Sequence, residues 1–339
     1  NVKVSGPQTA GGDAGANTIG PTLLKWAPDS SRIAYIADQD TDDVRELYTA
    51  LPNGAAGNVK VSGALVLNGD VEFTYFWSPD SAYVAYLAEQ DTDNVDELYL
   101  SSADGSTNSK ISATLVAGGD VSLIAWSPSA NLVAYLADGD VDGVRELYVT
   151  DPAGAAVKVS GLLVAGGGVE FDFQWAPDGS RIAYRADQIT DNVKELFTSL
   201  PDGSDNVKVS ETMIANGDVG GDSFIPNRSV FWSPDSGRIA YVADGESNGV
   251  FEMYLAQPDG SGSNKTSGTV TGSGIDLETL FNGLSIAWTA DSLRLIYRAE
   301  QDSSSVYELY SVDRDGSGNT KISGAMVLGG DVSRFSAAD

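Results

Sequence analysis

Short apolar runs alternate along this chain with turns built from Ser, Pro, Asp and Gly, and almost none of it keeps a helical period. Residues 71–77 (VEFTYFW) are β-branched and aromatic and read as a strand. Ser78-Pro79-Asp80-Ser81 reads as a turn, because Pro fixes φ and Asp bonds backbone two residues on. Residues 82–88 (AYVAYLA) give a second strand, 89–94 (EQDTDN) a polar loop and 95–101 (VDELYLS) a third strand. On that third strand Val95, Glu97 and Tyr99 share one face, with Leu98 and Leu100 on the other. Residues 103–106 (ADGS) form another turn, and 109–112 (SKIS) a fourth strand. Small Ala beside large Tyr in A-Y-x-A suits close packing between neighbouring sheets. The exception to the strand pattern is a single helical turn expected at 277–281.

The same grammar returns along the whole chain. Trp26, Trp77, Trp126, Trp175, Trp232 and Trp288 each open a W-(S/A/T)-(P/A)-(D/S) turn, at spacings of 51, 49, 49, 57 and 56 residues. Strand two recurs as RIAYIAD from Arg32, LVAYLAD from Leu132, RIAYRAD from Arg181, RIAYVAD from Arg238 and RLIYRAE from Arg294. A fixed period near fifty with four short strands per period predicts a β-propeller. The expected fold class is all-β: a six-bladed propeller of four-stranded antiparallel blades, with an orphan strand at each end. One domain, 1–339, is expected, with blades at about 7–62, 63–112, 113–160, 161–210, 211–267 and 268–323 and terminal strands at 1–6 and 324–339. W-S-P-D-S followed by I-A-Y, then E-L-Y and D-G-S, resembles the TolB-like, WD-repeat-like propeller family over nearly the whole chain. The resemblance implies six blades in many members and protein binding, often outside the cytoplasm. Related propellers accompany hydrolase domains in prolyl-oligopeptidase-like enzymes, and no such domain reads in these residues.

Composition narrows the chemistry. The sequence has no Cys, which removes disulfides, thiolate nucleophiles and zinc–thiolate sites, and no His, which removes the usual general base and Ser-His-Asp arrangements. Lys, Tyr, Asp or Glu could still move protons. A formal charge of −28 disfavours nucleic acid and anionic membranes and suits cations, basic partners or a salty medium, or serves solubility. No apolar run is long enough to span a membrane. No signal peptide is visible, and the start at Asn1 suggests a processed or trimmed chain.

Propeller geometry sorts the charges. Loops between strands two and three share a face with the loops leading into each strand one. The first set carries Asp38, Asp40, Asp42 and Asp43 in repeat one, Glu89, Asp91 and Asp93 in repeat two, and Asp138, Asp140 and Asp142 in repeat three. The lead-in loops add Asp70, Asp120, Asp218 and Asp331, in (N/G)-G-D-V. An acidic face is expected, with calcium as its candidate cation at Asp38, Asp40, Asp42, Asp91, Asp93, Asp138, Asp140 and Asp142. Alternating D-x-D resembles an EF-hand loop only in part: Val149 and Thr49 stand where its twelfth-position Glu is needed. The competing reading is that these Asp residues cap hairpins. The recurrent Glu46, Glu97, Glu146, Glu195, Glu252 and Glu308 are expected to orient their loops or to pair with a neighbouring strand, for example with the Arg that opens strand two.

Two lead-in loops are long, 216–229 and 268–284, and carry Phe224, Ile225, Leu280 and Phe281. With Asp70, Asp120 and Asp218 these residues form the expected partner-binding set. Residues 1–6 (NVKVSG) repeat 58–63 as a fourth strand without its own first three, and 324–338 resemble a lead-in loop and first strand. Such ends could pair at a seam, belong to a cut blade or join neighbouring molecules. The expected function is a non-catalytic, extracytoplasmic binding or scaffold propeller with a protein partner. Its rivals are a subunit self-assembling through its terminal strands and a carboxylate- or metal-dependent hydrolase or lyase.

Overall fold

The computed structural model describes residues 3–7, 10, 24–54, 57–220, 229–275, 285–326, 330–333 and 335. Their regular structure is all β: six four-stranded antiparallel sheets, each a meander in chain order, with no helix. These are the six blades of a propeller fold. The helical turn expected at 277–281 and the residues Phe224, Ile225, Leu280 and Phe281 lie outside the described residues. The chain divides into two compact units, Asn1–Lys158 and Val159–Asp339, each holding three blades.

Blade two shows why the sequence folds this way. Its strands are Val71–Trp77, Tyr83–Ala88, Glu97–Ser102 and Asn108–Lys110. The third and fourth sit one or two residues from their expected positions. Strands two and three are buried on both faces, so their apolar pattern is continuous. Tyr75, Tyr86 and Tyr99 pack with Ile36, Leu47 and Val61 of blade one, while Leu98 and Leu100 pack with Ile124, Tyr135 and Tyr148 of blade three. The alternation along strand three therefore faces two neighbours at once, and the core lies between sheets. Blades four to six repeat this arrangement around Tyr241 and Tyr297.

The Trp turn is a joint as well as a corner. Asp80 Oδ1 accepts from Ser78 Oγ and from the Ala82 amide, which closes the turn. Ser81 takes a left-handed φ of 63°, a conformation disfavoured for a residue with a Cβ. Its hydroxyl repays that strain by accepting the Asp29 amide of blade one at 3.1 Å. Ser236 and Ser292 accept from Asp178 and Asp235 in the same way. The indole of Trp77 donates to the Lys25 carbonyl of the preceding blade, as Trp126 does to Phe76 and Trp288 to Phe231. Leu24 and Trp26 of blade one stand apart, at 48% and 51% exposed.

The described segments near the two termini dock at the repeat's own stations. Val4 packs against Tyr35 and Tyr48, and the Gly6 amide donates to Gln39 Oε1, so this segment lies beside blade one as Val61–Gly63 lies beside blade two. At the other end Asp331 Oδ1 accepts the Tyr307 amide and the Val332 amide reaches the Tyr307 carbonyl, which copies the Asp70–Arg45 and Val71–Arg45 bonds.

Candidate functional site

The repeated acidic residues hold three distinct structural positions. In blades two to five the first acid of the loop between strands two and three caps that loop. Asp138 Oδ2 accepts the Gly143 amide at 3.0 Å, Glu89 Oε2 the Asn94 amide, Asp187 Oδ2 the Asn192 amide and Asp244 Oδ2 the Gly249 amide. Each capped residue is left-handed, with φ between 57° and 76°, which selects Gly or Asn there. The acid two residues on reaches a lysine of strand four: Asp40 to Lys60, Asp91 to Lys110, Asp140 to Lys158, Glu246 to Lys265 and Asp302 to Lys321, at 2.5–3.1 Å.

The recurrent Glu of strand three shares that lysine. Glu46, Glu97, Glu146, Glu195, Glu252 and Glu308 accept from Lys60, Lys110, Lys158, Lys208, Lys265 and Lys321 at 2.6–3.1 Å. The expected Arg partner is thereby corrected. Antiparallel pairing sets Ala37 opposite Glu46 and Ile33 opposite Ala50, so Arg32 stands at the far end of the strand and bonds Thr49 instead. The second oxygen of the Glu takes the phenol two residues on: Tyr48 donates to Glu46, Tyr99 to Glu97 and Tyr148 to Glu146 at 2.5–2.7 Å. Burial, then this carboxylate bond, holds the three phenols well above the ordinary tyrosine range. Each such ring also stacks on the strand-two tyrosine, with centroids 5.4–5.9 Å apart in these three blades.

The (N/G)-G-D-V motif performs a third task. Asn68 and Gly118 are left-handed. A Cβ on Gly69 or Gly119 would stand 2.5 or 2.4 Å from the Glu89 or Asp138 carbonyl. The Asp that follows reaches back to the preceding blade: Asp70 accepts the Arg45 amide, Asp120 the Asp96 amide and Asp218 the Lys194 amide, at 2.6–2.8 Å.

Among the residues expected to bind a metal, Asp38 is buried and Asp138 half-buried, while Asp40, Asp42, Asp91, Asp93, Asp140 and Asp142 are exposed. Among the described residues, the acids that draw together are Glu72, Glu89 and Asp96, with one oxygen of each within 4.8 Å of the others. A β-bulge between Val71 and Tyr75 displaces the register of strand one where Glu72 stands. Arg45 binds Glu72 at 3.1 Å, and Asp96 Oδ1 is buried without a hydrogen-bond partner. Burial, then the charges of Glu72, Asp120 and Glu89, push the Asp96 carboxyl up to about 7 against the pull of Arg45. Sequence reasoning missed this trio. The available signal was Asp96 itself, at the position that Arg45, Arg145 and Lys194 fill in other blades.

No family model matches the chain, and no curated protein matches it. Among solved structures, dipeptidyl peptidase 4 of Porphyromonas gingivalis aligns with a TM-score of 0.53 at 13% identity, over 88% of this chain and 45% of that one. The chain thus spans less than half of that peptidase, and the likeness is one of fold. A putative TolB from Agrobacterium tumefaciens aligns at 18% identity and TM-score 0.39, over 72% of this chain and 79% of that one. An oligogalacturonate lyase in complex with manganese aligns at 12% identity and TM-score 0.45, over 87% and 76%. Among the described residues no helix is long and apolar enough to cross a membrane.

Proposed function

We propose that this chain is a non-catalytic binding scaffold acting outside the cytoplasm, whose partner is a basic protein surface. The observation that supports this reading is the division of labour among its acids. The recurring carboxylates are engaged in loop caps, lysine tethers and blade-to-blade bonds, which fix the loops. Asp42, Asp93 and Asp142 stand exposed on those same loops, one in each of blades one to three, in a chain of net charge −28. Fixed carboxylates at regular intervals attract a lysine- or arginine-rich surface and speed its encounter at low salt. Calcium is the metal we propose for the same loops.

The test is binding of a lysine-rich peptide to the wild type and to an Asp42→Asn/Asp93→Asn/Asp142→Asn variant across a salt series. Weaker binding and a shallower salt dependence in the variant support the reading; identical curves refute it. A melting scan in millimolar calcium against magnesium tests the cation, and equal shifts remove it. Metal-dependent turnover of a polyuronide or ester substrate would replace the scaffold reading with the enzymatic one.

A further inference from the structure

The opposite strand ends, where strand one turns into two and three into four, carry turns closed by Asp, and arginines gather at one place among them. Within the second unit a cavity of about 430 Å³ is lined by Arg238, Leu293, Arg294, Asp313, Arg314 and Asp315. Three of the eleven arginines of a strongly acidic chain therefore meet in one groove. Two are neutralised: Arg294 pairs with Asp313 at 2.8 Å, and Arg314 reaches Asp235 on the turn of blade five. The Arg314 amide also donates to the Leu293 carbonyl at 2.9 Å, which fixes the wall.

Arg238 differs. Arginines that open strand two elsewhere find acceptors in their own blade: Arg32 on Thr49 and the Gly57 carbonyl, Arg181 on Asp205, Arg294 on Ser311 and Asp313. Blade five places Leu255 where blades one and six have Thr49 and Ser311, and Gln257 where blade six has Asp313. The Arg238 guanidinium bonds the carbonyl of its own neighbour, Gly237, at 2.9 Å, and the carboxylate whose charge it feels is Asp315 of blade six, across the groove. Beside it Leu293 is 58% exposed.

We infer that this groove binds a carboxylate through the guanidinium fork of Arg238, with a short apolar chain against Leu293. A guanidinium pairs two parallel donors with the two oxygens of a carboxylate, and the fit is geometric as well as electrostatic. Asp235, Asp313 and Asp315 at the rim disfavour polyanions, so the ligand carries one carboxylate. That carboxylate can come from a free organic acid or from the C-terminus of a peptide.

Calorimetric titration of the whole chain with hexanoate, hexanamide, inorganic phosphate and acetyl-Leu-Leu decides the matter. Saturable hexanoate binding is expected in the millimolar range, with none for hexanamide and weaker binding for phosphate. Arg238→Gln should weaken hexanoate by about tenfold. Gln257→Asp, which supplies the acceptor that Arg294 has in Asp313, should capture Arg238 and weaken hexanoate by at least about fivefold while the arginine remains. Tighter binding of acetyl-Leu-Leu than of hexanoate assigns the carboxylate to a peptide end; the reverse assigns it to a small acid. The inference is overturned if hexanoate does not saturate, if hexanamide or phosphate binds as well, or if both variants bind like the wild type.

Discussion

Blade four contains a natural deletion of one hydrogen bond, and restoring it should stabilise the fold. In blades one to three the Glu of strand three accepts from a lysine and from the tyrosine two residues on. Blade four has Phe197 at the tyrosine position, and Ile189 where the loop acid stands. Glu195 is only 4% exposed, and its Oε2 is buried with no partner, although Lys208 holds Oε1 at 2.6 Å. Phe197 stacks on Tyr184 at 5.9 Å, close to the 5.4 Å of Tyr148 on Tyr135, so a phenol oxygen added there points along the same line. A hydrogen bond to a charged group contributes about 1.5–3 kcal/mol. Desolvating the new hydroxyl offsets part of that, which leaves about 1–2 kcal/mol for Phe197→Tyr. For roughly 150–250 residues each kcal/mol moves Tm by about 2–4 °C. The assay is urea and thermal unfolding of Phe197→Tyr, of Glu195→Gln and of the pair, with Tyr148→Phe as the reciprocal, expected to cost about 1–3 kcal/mol. If Phe197→Tyr is neutral or destabilising while Tyr148→Phe costs more than about 1 kcal/mol, the argument from an unpaired Glu195 oxygen fails.

Asp96 supplies a pH prediction. Its folded value, about 7, lies above the unfolded value of about 3.9, so the native state binds the extra proton and stability falls as pH rises between the two. Asp96→Asn should flatten that slope and gain stability at pH 8, read as the denaturant midpoint across pH; a variant that keeps the wild-type slope refutes the assignment. At the Trp turn, Ser81→Gly retains the left-handed φ but loses the acceptor for Asp29, whereas Ser81→Ala loses the acceptor and keeps the strain. Ala should therefore cost more than Gly by about 0.5–1 kcal/mol in chemical unfolding. Ile189→Asp should add an exposed tether to Lys208 worth no more than about 0.5 kcal/mol, measurable as a small midpoint shift that disappears in high salt.

The fold was legible because each repeat states it redundantly. Trp77, Pro79 and Asp80 mark the turn, and Ala85, Tyr86, Leu98 and Tyr99 mark strands buried on both faces. Strand four was shifted because Asn108 and Ser109 pair in the sheet while Ile111 packs on blade three, and an apolar pattern locates packing better than pairing. The tethers were also within reach: wherever a Glu opens strand three, a Lys follows at the end of strand four. The Arg of strand two matches the Glu in charge alone, because the register sets it at the far end of the strand. Register is also why the trio of Glu72, Glu89 and Asp96 stayed hidden, since a bulge sets those carboxylates together and no local pattern announces a bulge at Glu72.

The repeat also indicates where to look for specificity. A side chain that recurs along the repeat has a recurring partner and a structural role. The Glu–Lys–Tyr arrangement and the loop caps brace single blades, and the lead-in Asp joins one blade to the one before it. Departures are the informative positions, because there the scaffold's need has lapsed and another can act. Phe197 and Ile189 leave Glu195 with one oxygen unpaired, Asp96 replaces a cation, and Leu255 with Gln257 leaves Arg238 without a carboxylate in its own blade. Arg238 borders a groove large enough for a small molecule. A binding function grafted onto a repeated fold is expected at such a break, where one guanidinium is free of the structural duty its counterparts perform.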